Sequence, residues 1–168
     1  MRFRDDCYAM LIRIAPEYGA QVPLQRVLLS GYLVGYLEAN EQRIEVLNFD
    51  LAYQRPCASR HTSEKGHFLD ELFELTGVRQ VERTYDRQEA VCCRGAKFFL
   101  GMEDPKPDRQ KNILDAKWAG AEAVVRPCSM CVQLLAEVAA EQGTPLILLG
   151  DLARMALGEL ASPFQVGP

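Results

Sequence analysis

Five of the six cysteines in this chain fall into an even pattern: Cys57, the adjacent pair Cys92 and Cys93, then Cys128 and Cys131. Thirty-four residues (58–91) separate Cys57 from Cys92, and thirty-four (94–127) separate Cys93 from Cys128. An interval of that length holds one strand–helix unit, which returns a chain to the same edge of a sheet. A fold that gathers these thiols is thereby constrained to repeat such units. Two neighbours on a regular strand would point to opposite faces. Gly95, in the loop "RGAKFFLGMEDPKPD", offers the backbone freedom for both sulfurs to turn inward.

The rest of the pattern agrees. "PLQRVLLSGYLVGYLEAN" carries apolar residues at helical spacing from Leu24 to Leu37, and "RIEVLNFDLAYQ" alternates as a strand running into "RPC". "EKGHFLDELFEL" is an amphipathic helix stopped by Gly77, and "VRQVERTY" a short strand. "RQKNILDAKWAG" is a helix, "AEAVVRPC" a strand feeding the helix "CSMCVQLLAEVAAEQG", and Gly143 closes that helix. "TPLILLG" reads as a central strand of a parallel sheet, "DLARMALGEL" as the last helix, and "ASPFQVGP" as a frayed tail. Alternating strands and helices predict an α/β protein: an open, mainly parallel sheet with flanking helices, Rossmann-like, its ligand edge at the strands' C-terminal ends.

Charge and termini narrow the setting. A net charge of −4 leaves no electrostatic footprint for nucleic acid. "MRFRDDCYAM" has aspartates where a signal peptide has only positive charge, and the longest apolar stretch, "VLLSGYLVGYL", has 11 residues. The expectation is a cytoplasmic protein without membrane insertion, whose reduced cysteines serve as ligands or catalysts.

"QRPC" (54–57) and "VRPC" (125–128) resemble each other, and each places a cysteine where a strand ends. A helix start there offers N–H groups and partial positive charge, which favour thiolate. Cys128 and Cys131, three apart on a first helical turn, can reach one metal. CxxC alone leaves structural zinc, a redox dithiol and iron–sulfur ligation open. Five thiols exceed the four of a tetrahedral zinc site or an ordinary cubane cluster.

The whole pattern resembles the CCG (cysteine-rich) domain family, found in heterodisulfide reductases and in related iron–sulfur proteins of glycolate and lactate oxidation. "RQKNILDAKWAGAEAVVRPCSMC" is similar to the family's Asn-Ile, Ala-Gly-Ala-Asp, Val-Val-x-x-Cys-Pro-x-Cys run, "LAYQRPC" to its Pro-Cys opening and "AVCCRGA" to its paired cysteines. The resemblance implies that Cys57, Cys92, Cys93, Cys128 and Cys131 bind a noncubane [4Fe–4S] cluster, one sulfur bridging two irons. It implies residues 45–160 as the cysteine-rich domain, 1–44 as the remnant of a preceding copy and 161–168 as a tail. It also implies a heterodisulfide reductase-like redox role, with iron–sulfur and flavin subunits as partners and a small disulfide as possible substrate. Where the family has Cys-Cys-Gly, Arg94 intervenes before Gly95; Ala58 and Arg55 replace a common histidine and acid.

Several residues have plainer readings. Cys7 lacks the companion of a CxxC and suits a buried inert thiol. His61 could donate a proton near the cluster or cap a loop, and His67 suits an exposed helix start. Arg55, Arg94 and Arg126 adjoin expected ligands, either as charges that raise a cluster's potential or as surface arginines. Trp118 is expected to pack on the sheet, "RQK" (109–111) to be a solvated helix face, and Phe98, Phe99 and Met102 to meet a partner or the core. No nucleotide or flavin motif stands out. A zinc-stapled scaffold and a thiol–disulfide exchanger using Cys128 and Cys131 are the competing functions.

Overall fold

The computed structural model of the protein describes residues 28–56, 65–94, 101 and 106–164. Among the described residues four strands form one all-parallel sheet: β1 (Asp50–Tyr53), β2 (Arg79–Gln80), β3 (Ala123–Arg126) and β4 (Leu146–Leu148), in the order β2-β1-β3-β4. Leu51 pairs with Gln80 on one side and Ala123 on the other, and Val125 pairs with Ile147. The helices among the described residues are α1 (Leu29–Glu38), α2 (Lys65–Thr76), α3 (Lys106–Trp118), α4 (Ser129–Gln142) and α5 (Leu149–Ala156). The expected α/β architecture is therefore the observed one. Among the described residues no helix is long and apolar enough to cross a membrane.

Strand alternation sorts the core into two layers. Leu51, Tyr53, Ala123 and Val125 face a cluster with Leu37 of α1, Leu72 of α2 and Leu152 of α5. Ala52 and Val124 face the other way, onto Ile113 and Ala116 of α3 and Leu135 and Val138 of α4. Cys93 and Cys131 belong to that second layer. One step of two further along each strand, on the same face, stand Gln54 and Arg126, polar yet only 2% and 1% exposed. The two central strands thus each end in a buried polar side chain on the cysteine face.

Four expectations are corrected. The strand read over 43–54 is confined to Asp50–Tyr53. Residues before it bond to helix ends (Glu45 N–H to Ala156 O, Leu47 N–H to Thr76 O), and Asn48 at φ 48° interrupts the extended run. β4 is an edge of the described sheet, not a central strand; its apolar run is explained by α4 and α5, which both pack on it. Trp118 does not pack on the sheet: it is 79% exposed, because the buried stripe of α3 is Asn112, Ile113, Asp115 and Ala116. The tail is docked as far as Phe164, whose ring meets Phe49 at 4.8 Å, and Ser162 is buried.

Gly77 ends α2 at φ +70°, and a Cβ there would collide with the stiff side chain of Val46. Gly77→Ala combines left-handed strain with that clash and is expected to cost about 1–3 kcal/mol. A urea midpoint unchanged from the parent would contradict this placement.

Candidate metal centre

Cys128 stands two residues beyond β3, at the N-cap of α4, with extended backbone (φ −109°, ψ 116°). Pro127 holds the preceding Arg126 extended, so the chain leaves the sheet straight and turns into the helix at the cysteine. Cys131 follows on the first turn, at the head of the buried stripe Cys131, Leu135, Val138 and Ala139. Cys131 is thereby locked inward, 7% exposed, and Cys128 lies against it, half-buried. Val132 N–H donates to Cys128 O at 3.2 Å, completing the turn.

The second contributor is the loop 90–94. Cys93 is buried, and its Sγ lies 3.3 Å from Cys131 Sγ across 38 residues of chain. That is well beyond the S–S length of a disulfide, and all four described cysteines are thiols. The pair is not on a strand: Arg94 takes φ 58°, at the position that resembles the family's glycine, and its N–H donates to Cys92 Sγ at 3.3 Å. The Arg94 guanidinium closes an ion pair with Asp108 at the start of α3.

A polar lattice fixes this loop from behind. Val91 O accepts from Gln54 Nε2 at 2.7 Å and from Asn112 Nδ2 at 3.0 Å, and Cys93 O accepts from Arg109 Nε at 3.3 Å. Gln54 Oε1 in turn accepts from Arg83 Nη2 at 2.8 Å, which also donates to Tyr53 O at 2.8 Å. Arg83, its side chain fully buried, pairs with Asp115 at 3.4 Å. Asp115 accepts from the backbone N–H groups of Thr84 and Tyr85 as well, at 3.3 and 3.0 Å. Helix α3 therefore holds the cysteine loop at its N-terminal half and the approach to it one turn later. Asn112→Ala is expected to destabilise by about 1–3 kcal/mol, the cost of a lost buried amide. Hydrogen exchange in that variant that quickens at residues 91–94 while the strands keep the parent's rates checks the local assignment.

Electrostatics make the pocket unusual. Contacts with Cys128 and Cys93, and then burial, push the Cys131 thiol well above its ordinary range. Burial pulls the Arg126 guanidinium down, opposed by attraction from Cys131, Cys93 and Cys128 and reinforced by repulsion from Arg83. Among the described residues Arg126 Nε and Nη1 are buried without a hydrogen-bond partner. A buried cation facing neutral thiols lacks a counter-charge, whereas a metal group held by thiolates is an anion that supplies one. The donor chemistry thus fits a thiolate-held metal group.

Of the five expected ligands, the structure brings the sulfurs of Cys93, Cys128 and Cys131 together, with Cys92 beside them in the chain. Cys57, Cys7, His61, Gly95, Phe98, Phe99 and Met102 lie outside the described residues. Pro56, immediately before Cys57, is described and buried. Among the described residues no three His, Cys, Asp or Glu side chains are set to hold one metal ion; the sulfurs meet pairwise at Cys131. Arg109 is not part of a solvated face, since it is half-buried and reaches Cys93 O, while His67 is exposed as expected. Sequence reasoning missed Gln54, Arg83, Asn112 and Asp115 as supports. Gln54 and Asn112 sat inside motifs already singled out, "QRPC" and the Asn-Ile pair.

No curated protein matches the chain. The family model of the CCG cysteine-rich domain matches residues 51–136, just over half of the 168, from the first residues of β1 to the middle of α4. That span takes in the segment from Cys57 to Cys131, the clamped loop and the β3–α4 turn, and the chain is accordingly a member of the CCG cysteine-rich domain family.

Proposed function

We propose that the chain is the iron–sulfur subunit of a heterodisulfide reductase-like redox complex. Cys57, Cys92, Cys93, Cys128 and Cys131 would hold a noncubane [4Fe–4S] cluster, with residues 45–160 as the binding domain and 1–44 as the remnant of a preceding copy. Membership of a cysteine-rich family supports metal binding and redox work. The approach of Cys93 Sγ to within 3.3 Å of Cys131 Sγ, from segments 38 residues apart, carries the reading.

When bound, such a cluster supplies one-electron chemistry. The chain's own residues do the rest. The N-terminus of α4 aims its partial positive charge at Cys128 and Cys131, offsetting part of what burial costs their thiolates. Ile113, Val124 and Leu135 exclude water from the inner side of the site. Gln54 and Asn112 keep the Cys92–Cys93 loop in place through Val91 O. Electrons would arrive from iron–sulfur and flavin subunits of the complex and leave to a small disulfide, each disulfide taking two electrons and two protons to give two thiols.

The full chain, purified without oxygen, is expected to be brown, with visible absorption that bleaches with dithionite and about four irons per chain. A colourless protein with one tightly held zinc would contradict the reading and identify a structural scaffold.

A further inference from the structure

The geometry points to Arg126 as a positioning residue for the metal group: a cationic hydrogen-bond donor, built into the end of β3, that makes the centre easier to reduce. The inference rests on the iron–sulfur reading and goes beyond it by assigning the tuning of the centre to one side chain outside the ligand set.

Three observations carry it. Strand alternation places Arg126 on the face of Val124, the layer that contains Cys93 and Cys131. The residue is 1% exposed, the largest of the fully buried side chains, so its charge is not spent on solvent. Among the described residues it makes no ion pair with a carboxylate, and two of its nitrogens, Nε and Nη1, have no hydrogen-bond acceptor. Arg83, the other buried arginine nearby, has Asp115, Tyr53 O and Gln54 Oε1. The contrast is informative. Arg83 is a structural cation with a carboxylate; Arg126 is a cation set against Cys131, Cys93 and Cys128, which become its counter-charge only when ionised.

A buried guanidinium without an anion is costly, and a group held by thiolates removes that cost. Reduction adds one more negative charge beside the guanidinium, so the attraction grows as the electron arrives. Charge and hydrogen bonds at the sulfurs are the protein's main means of setting such potentials. Arg126 therefore raises the reduction potential, and its loss lowers it.

The test is a dithionite titration, followed by electron paramagnetic resonance, of the full chain and of Arg126→Gln and Arg126→Lys. The Gln variant, which keeps donors but loses the charge, is expected to disfavour one-electron reduction at least tenfold, a fall of about 59 mV. The Lys variant is expected to lie closer to the parent. Iron lost from the Gln variant but retained by the Lys variant, with unchanged far-ultraviolet circular dichroism, supports the same role for the charge. Equal potentials in the parent and the Gln variant overturn it, as does loss of iron from both variants alike, which makes Arg126 a packing residue. Absence of iron from the parent itself refutes the underlying iron–sulfur reading instead.

Discussion

Cys131→Ser, prepared without oxygen, is expected to come off the column colourless, its iron falling from about four per chain to well under one. Cys131 is the sulfur on which the others meet: 3.3 Å from Cys93 Sγ, in contact with Cys128, and 7% exposed on the first turn of α4. A hydroxyl is nearly the same size but is a hard, weakly acidic ligand where soft thiolate is required. The backbone of α4 makes no demand on the sulfur, so far-ultraviolet circular dichroism should be preserved. A thiol–disulfide exchanger predicts something else from the same variant: a mixed disulfide trapped on Cys128 in a protein that never held metal. A brown Cys131→Ser protein with full iron would remove Cys131 from the ligand set.

The largest expected loss of stability is at a residue with no thiol near its role. Asp115→Ala should cost about 3–5 kcal/mol, a large part of the ~5–15 kcal/mol that holds a domain of this size together. Asp115 faces Arg83, whose side chain is fully buried, and also accepts from two backbone N–H groups in the turn leading to the cysteine loop. Removing the carboxylate leaves the buried guanidinium with carbonyl hydrogen-bond partners and the charge of Asp86, and takes the acceptor from two backbone amides. Asp115→Asn keeps an acceptor for those amides and should lose less. Both are read from urea unfolding of the apo-protein, so that metal content does not confound the comparison. A change below about 1 kcal/mol in the Ala variant would show that Arg83 and the turn are held by other groups.

The parts of the fold that repeat were readable from the chain alone. Strands feeding helices, with Gly77 and Gly143 as stops, needed only periodicity and turn chemistry, and α2 and α4 lie where those rules put them. What failed was whatever depended on neighbours. Nothing in "TPLILLG" separates a central strand from an edge strand with helices on both faces, and nothing in "AKWAG" says that Trp118 falls one position off the buried stripe of α3. Leu47 and Glu45 look like strand residues until their N–H groups are found on the ends of α2 and α5.

The site divides in the same way. The meeting of Cys93 with the Cys128–Cys131 turn follows from even spacing and a parallel sheet. Gln54, Asn112, Arg83 and Asp115 do not: a buried glutamine and a buried aspartate have no one-dimensional signature. Their roles emerge only when two strands end side by side and α3 crosses behind the loop. Arg126 is intermediate. Its nearness to Cys128 is plain in "VRPC", but its burial, and the absence of a carboxylate partner among the described residues, depend on the layer into which β3 turns it.

The most direct measurement is a Mössbauer spectrum of the full chain, enriched in the iron isotope and prepared without oxygen. Thiols carried to one sheet edge from separate strand–helix units should yield sulfur-ligated irons that are magnetically coupled, as in a single polynuclear cluster. Isolated high-spin iron of a mononuclear site, or no iron spectrum from a protein carrying zinc, would contradict the gathering of these sulfurs around one iron–sulfur centre.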